Sequence, residues 1–241
     1  MGTALLALCL ATSALFAQAE SVLILHTNDL HGYIQSTNQE AGLARIAAYV
    51  RQVRQTREDV LLLDAGDCIS GTPLSALSEG EAVFEVMSAV GYDATVLGNH
   101  EFDHGWNKIE TFLQIASFPI LSANAYALDG ERIGDAQYLI KEIAGVRVGV
   151  IGVSHRDTAE LTVRNGNEGI VFVDEVEVLS DIVPQVRARS DLVVVLSHAG
   201  IERDIDIARY VHDVDLIVGG HSHILAEGPL WVGTTCIRRF A

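Results

Sequence analysis

The chain has 241 residues, 49% of them hydrophobic, and its 32 acidic residues outnumber 16 Lys and Arg to give a formal net charge of -16. A chain of this length and apolar content buries a substantial core in one large domain or two small ones, and no Pro-, Gly- or Ser-rich linker, repeat or low-complexity tract divides it. The charge has the wrong sign for gripping a phosphate backbone with side chains, which argues against a nucleic-acid groove; an anionic substrate would need a positive field from elsewhere, and bound metal ions are the obvious source.

In chain order, the opening stretch MGTALLALCLATSALFAQAE is a short apolar run that closes on Ala17, Gln18 and Ala19, the small-x-small pattern of a secretory cleavage site, although no Lys or Arg precedes the run. It predicts a signal peptide over residues 1–19, a mature chain from residue 20 in the periplasm or outside the cell, and no membrane association after cleavage. Cys9 would leave with the leader, and the remaining Cys68 and Cys236 do not by themselves define a disulfide.

Beyond the leader, short runs rich in Val, Ile and Leu alternate with stretches of helical period, the pattern of a layered α/β domain. The predicted strands are SVLILH from Ser21, DVLLLD from Asp59, ATVLG from Ala94, FPILSAN from Phe118, VRVGVIGV from Val146, DLVVVLSH from Asp191 and DLIVGG from Asp215. Between them, AGLARIAAYVRQVRQT sets Leu43, Ile46, Ala47, Val50 and Val53 on one helical face, and EAVFEVMSAV does the same with Val83, Val86, Met87 and Val90.

Polar residues stand just past the strand ends: Asp29 and His31, then Asp67, Asn99 and His100, His198, and finally His221 and His223. In α/β sheets ligands bind in the crevice outside the carboxyl ends of the strands, so these separate stretches can converge. Singly, each is an ordinary turn residue or hydrogen-bonded histidine. Together Asp29, His31, Asp67, Asn99, His198, His221 and His223 offer seven oxygen or nitrogen donors, enough for two divalent cations that share one carboxylate.

Five blocks, LHTNDLHG from Leu25, LDAGDCISGTPLS from Leu63, LGNHEFDHG from Leu97, LSHAG from Leu196 and GGHSH from Gly219, occur in an order that resembles the metallophosphoesterases, and within them the secreted or periplasmic 5′-nucleotidase (2′,3′-cyclic phosphodiesterase) family. The resemblance implies a four-layer α-β-β-α sandwich with two mixed sheets, forming the catalytic domain over residues 20–241. It implies that Asp29, His31, Asp67 and His223 hold one metal and Asp67, Asn99, His198 and His221 the other, with Asp67 as the bridge. In extended chain, residues two apart point the same way, so Asp29 and His31 can reach one ion. The same spacing lets His221 and His223 reach neighbouring ions about 3.5 to 4 Å apart.

The implied activity is hydrolysis of small phosphate esters, nucleoside 5′-monophosphates foremost, by hydroxide generated at two divalent ions; Asp, Asn and His donors suit Zn, Mn, Co or Fe. His100 would protonate the leaving group with Asp103 orienting its ring, and Asn99 and His100 would contact the substrate. Cys68 reads as a packed thiol and Glu101 as a hydrogen-bond acceptor behind the ligands, while His26, His104, His155 and His212 match no role.

Related thiosulfohydrolases share fold and metals but cleave a sulfur ester, and a metal-binding remnant without activity is the remaining alternative. In the resembling family the chain runs on beyond the last histidine motif into a second, base-binding domain. The sequence therefore predicts a sandwich cut short at its C-terminal edge and poor discrimination among nucleosides. LWVGTT reads as the start of a strand, but the adjacent Arg238 and Arg239 break the apolar pattern of a buried one.

Overall fold

The computed structural model describes residues 21–37, 41–162, 168–224 and 227–239, so the leader at 1–19 and Cys9 lie outside the described residues. All seven predicted apolar runs form strands. The first half of the chain runs β1 (Leu23–Thr27), α1 (Gly42–Arg54), β2 (Val60–Asp64), α2 (Pro73–Leu77), α3 (Glu81–Val90), β3 (Ala94–Val96), α4 (Lys108–Ile115), β4 (Ile120–Leu121) and β5 (Ala125–Ala127). The second runs β6 (Tyr138–Ile143), β7 (Val146–Ser154), α5 (Thr158–Leu161), β8 (Ile170–Phe172), α6 (Glu175–Arg187), β9 (Leu192–His198), α7 (Ile201–Tyr210), β10 (Leu216–Gly219), β11 (Leu230–Val232) and β12 (Thr235–Arg239).

Strands β1 to β4 lie in sequence order in one sheet, and its pairings are parallel. The second sheet has the order β11-β12-β10-β9-β7-β6, parallel from β12 to β7 and antiparallel at both edges. Strands β5 and β8 form a separate antiparallel pair. The second sheet is thus mixed, as expected, and the first is parallel in its described strands.

The layers follow from the two-residue period of a strand. Leu61 and Leu63 pack with Val148, Val150, Val194 and Leu196 between the sheets. Leu62 belongs instead to the core beneath α1, α3 and α4, with Leu43, Val50, Val83 and Phe112. On the far side, Ile151, Val153, Val193 and Val195 pack with Leu179, Val183 and Val186 of α6 and Ile207 of α7. Helices therefore cover both outer faces, giving the α-β-β-α sandwich. Burying a Val or Leu side chain contributes about 1.5 to 3 kcal/mol, which is why strands covered on both faces read as unbroken apolar runs. Helix α3 also buries Phe84, outside its predicted face, because Phe84 stacks on Phe112 of α4 with ring centroids 4.4 Å apart.

The reading of Arg238 and Arg239 as a break in the last strand needs correction. Cys236 to Arg239 do not end the sheet: β12 pairs in parallel register with β10, Val218 opposite Arg238 and Gly219 opposite Arg239. Alternation sends the two arginines to opposite faces. Arg238 lines a cavity beside β1, and Arg239 is 2% exposed next to Asp204 of α7. A paired guanidinium lets the strand stay buried where the apolar pattern fails.

Candidate metal centre

Both sheets deliver the carboxyl ends of β1, β2, β3, β9 and β10 to one edge, and the polar blocks begin there. Five of the predicted ligands have left-handed backbones: Asp29 (φ 51°), His31 (φ 43°), Asp67 (φ 55°), His221 (φ 76°) and His223 (φ 49°). The extended-chain geometry expected for the Asp29–His31 and His221–His223 pairs is therefore wrong; the loops curl around the site instead. Such conformations cost about 1 to 3 kcal/mol each and persist where their surroundings hold them. Here the Asp29 amide donates to the Gly66 carbonyl at 3.0 Å, the His31 amide to Asp67 at 3.0 Å and the Gly32 amide to Cys68 at 2.8 Å, which ties two ligand loops together. The His221 amide donates to Asp29 Oδ1 at 3.0 Å and joins a third.

Glu101 fixes the loop after β2. Fully buried, it accepts from the amides of Cys68 (2.8 Å), Asp67 (3.0 Å) and Gly98 (2.7 Å). Gly98 has to be glycine, since a Cβ there would meet Asp67 Oδ1 at 2.2 Å. Cys68 is buried with its Sγ donating to Asp64 Oδ1 at 2.9 Å, consistent with a packed thiol.

The donors gather in three overlapping groups, Asp29 with His31 and His223, His31 with Asp67 and His100, and Asp67 with His198 and His221; within each group the ligand atoms lie within 4.8 Å of one another. Asn99 joins through its Oδ1, 3.0 Å from His221 Nδ1. All seven predicted ligands thus meet at one place, and Asp67 is common to two of the groups.

The deepest pair shows why a cation suits this site. His198 Nδ1 lies 2.6 Å from the Ala65 carbonyl, which can only accept, so Nδ1 carries a proton. In the neutral ring Nε2 is then a lone pair. It is buried, makes no hydrogen bond among the described residues and lies 3.1 Å from Asp67 Oδ2. Two electron-rich atoms face each other out of water, and either a proton or a metal must sit with them. Without a metal the proton wins: burial opposes charge on His198, but Asp67 overcomes it and raises the ring pKa to about 10. Burial likewise pushes Asp67 up, and the His198 and His100 charges outweigh it to hold the carboxyl below the usual range. At the mouth, His31 Nε2 and His223 Nε2 are 3.0 Å apart on stacked rings. Burial lowers His31, and burial together with His198 lowers His221 to about 4, so both favour the neutral, ligating form. The donor set fits divalent cations.

In the second of these groups, His100 Nδ1 is 2.7 Å from Asp103 Oδ2. That bond raises the His100 pKa to about 9 against the opposing effect of burial, with Asp67 adding to the rise. Ser70 was not singled out from sequence; its hydroxyl donates to the same Asp103 oxygen at 2.6 Å and steadies it. The only hint was its place in the LDAGDCISG block. His155, matched to no role, lies with its ring centroid 5.3 Å from that of His221.

The sequence profile of the calcineurin-like phosphoesterases matches residues 22–225. The chain belongs to this family. Members use divalent metals, in keeping with the donor groups of this phosphoesterase. It is 37% identical over 217 residues to the 5′-nucleotidase of Bos taurus, an alignment covering 83% of this chain and 38% of that protein. Among solved structures it is similar to a 5′-nucleotidase precursor from Thermus thermophilus (TM-score 0.80, 32% identity, 90% of this chain and 48% of that one). It is also similar to a Thermus thermophilus sulfate thiohydrolase (TM-score 0.80, 25% identity, 90% of this chain and 51% of that one). The phosphoesterase chain therefore spans about two fifths of the bovine relative and about half of each of these solved chains. No helix among the described residues is long and apolar enough to cross a membrane.

Proposed function

We propose that this phosphoesterase hydrolyses small phosphate monoesters, nucleoside 5′-monophosphates foremost, with two divalent ions among Zn, Mn, Co or Fe. The supporting observation is the meeting of His198 Nε2 with Asp67 Oδ2 inside a ring of further donors, a place that needs positive charge and is built from five sequence blocks without a Lys or Arg. Asp29, His31, Asp67 and His223 would hold one ion, and Asp67, Asn99, His198 and His221 the other. Bound there, the ions supply an activated water and neutralise phosphate oxygens, the field that a chain of charge -16 otherwise lacks.

The rest is done by side chains. As the P–O bond to the leaving group breaks, the departing oxygen needs a proton. His100 would give it from Nε2, a role supported by the hold of Asp103 on Nδ1–H, which keeps the ring protonated at neutral pH. After transfer His100 is neutral and its remaining proton stays on Nδ1. Asn99 and His100 contact the phosphate ester. Residues 1–19 act as an export signal and residues 20–241 as the catalytic domain, in the periplasm or outside the cell.

The likeness to the sulfate thiohydrolase gives a second reading, cleavage of a sulfur ester at the same centre. The higher identities lie with 5′-nucleotidases, which favours the phosphate ester. The test compares AMP with an S-sulfonated cysteine peptide, using residues 20–241 with Mn²⁺ or Zn²⁺ and the His100→Ala variant beside it. Metal-dependent release of phosphate from AMP, weakened in the variant, supports the proposal. A folded sample that hydrolyses only the sulfur ester, or neither substrate, refutes it.

A further inference from the structure

The buried ion pair behind the site points to a role that the ligand chemistry does not use. Asp204, fully buried in α7, accepts from Ser197 Oγ at 2.6 Å, and its second oxygen lies 3.6 Å from Arg239 Nη1. Arg239 Nη2 donates to the carbonyl of Gly220. The Gly220 amide in turn donates to the Ser197 carbonyl at 2.9 Å. Ser197 precedes His198 and Gly220 precedes His221, so one buried pair reaches the backbone or side chain adjoining two predicted ligands. The fit is close: a Cβ at Gly219 would meet Asp204 Oδ2 at 2.2 Å.

As a source of stability the pair is poorly arranged. Asp204 Oδ2 and the Nε and Nη1 of Arg239 make no hydrogen bond among the described residues, and burying two charges carries a desolvation penalty that an apolar pair of similar volume avoids. What an apolar pair cannot do is hold the Gly220 carbonyl from below, next to His221 with its left-handed backbone. We propose that Arg239 and Asp204 are positioning residues that set His198 and His221 for one of the two metals. This inference rests on the two-metal reading above.

The test uses the full chain and the double variant Asp204→Leu with Arg239→Met, which removes both charges together and leaves neither unpaired. Three quantities are measured: Mn²⁺ binding by titration calorimetry, thermal midpoint, and amide hydrogen exchange at His221 in metal-free protein. The expected result is a midpoint at or above the parent's, faster exchange at His221, and one of two Mn²⁺ sites weakened about 10- to 100-fold while the other is unchanged, the usual effect of losing a partner behind a ligand. Arg239→Lys keeps a charge beside Asp204 and removes the second nitrogen that reaches Gly220; it is expected to show the same selective loss, and it decides the matter if the double variant does not fold. Parental affinity at both sites in the folded variants overturns the inference alone. A parent that binds fewer than two ions overturns the two-metal reading and this inference with it.

Discussion

Glu101 holds Asp67 by its backbone: Oε2 accepts the Asp67 amide at 3.0 Å and the Gly98 amide at 2.7 Å, while Oε1 accepts the Cys68 amide at 2.8 Å. One buried carboxylate thus joins the loops after β2 and β3. Glu101→Gln replaces an oxygen acceptor by an amide donor facing backbone N–H groups, which leaves at least one buried amide unsatisfied. The expected loss is about 1 to 3 kcal/mol of stability by urea denaturation, with weaker metal binding because Asp67 moves. Unchanged stability and metal affinity would show that these bonds are replaceable.

His100 and Asp103 make separable contributions. His100→Ala removes the acid and is expected to lower kcat by about 10² to 10⁴ for AMP, whose leaving alkoxide needs a proton. The loss should be smaller for p-nitrophenyl phosphate, whose leaving group departs without one. Asp103→Asn weakens the bond that raises the His100 pKa, so the acid form is lost at lower pH. The alkaline limb of its kcat profile should move down in pH relative to the parent. Equal losses for both esters would argue against His100 as acid.

The strands and the polar residues that gather at their ends were legible for the same reason. Parallel strands covered on both faces leave continuous apolar runs such as LVVVLSH, and the polar residues that interrupt the runs are those at the sheet edge. The edge strand β6 was missed because its adjacent exposed residues Lys141 and Glu142 interrupt the apolar run in YLIKEI. Strand β12 was misread because Arg239 looks like a break until its partner Asp204, 35 positions earlier, is known. Helices α6 and α7 pack on the outer face of the second sheet. Donor identity was readable at the site, but backbone conformation was not: nothing in the residues Asp29 to His31 announces two left-handed φ angles, which the Gly66 and Asp67 carbonyls hold in place.

His26 gives the fold its own acid sensitivity, away from the donor groups. It lines a cavity of about 520 Å³ with Ile24, Tyr49 and Val218, and burial, helped by Arg238, lowers its pKa to about 4. Its folded pKa is below the unfolded value of about 6.5, so the unfolded chain takes up the proton first. Stability from this group is intact above pH about 6.5 and falls between about 6.5 and 4, by about 3 kcal/mol in all. Urea midpoints measured with chelator present should decline over that window in the parent and decline less in His26→Gln. Parallel curves would place the acid sensitivity elsewhere.

On the two-metal proposal, metal binding has to displace the proton that sits between His198 and Asp67. With the metal absent the ring pKa is about 10, so at pH 7 the site holds an imidazolium that must lose its Nε2 proton before that nitrogen can ligate. Calorimetry at pH 7 in buffers of different ionisation enthalpy should therefore register proton release on Mn²⁺ binding, and affinity should fall as pH is lowered. Binding to the folded state alone should stabilise it by about 2.7 kcal/mol when free metal is 100 times Kd, and chelation should reverse the gain. His198→Ala removes both the donor and the proton, so it should bind less metal and release fewer protons per ion. A parent that binds metal with no proton release would mean that Nε2 of His198 is not a ligand.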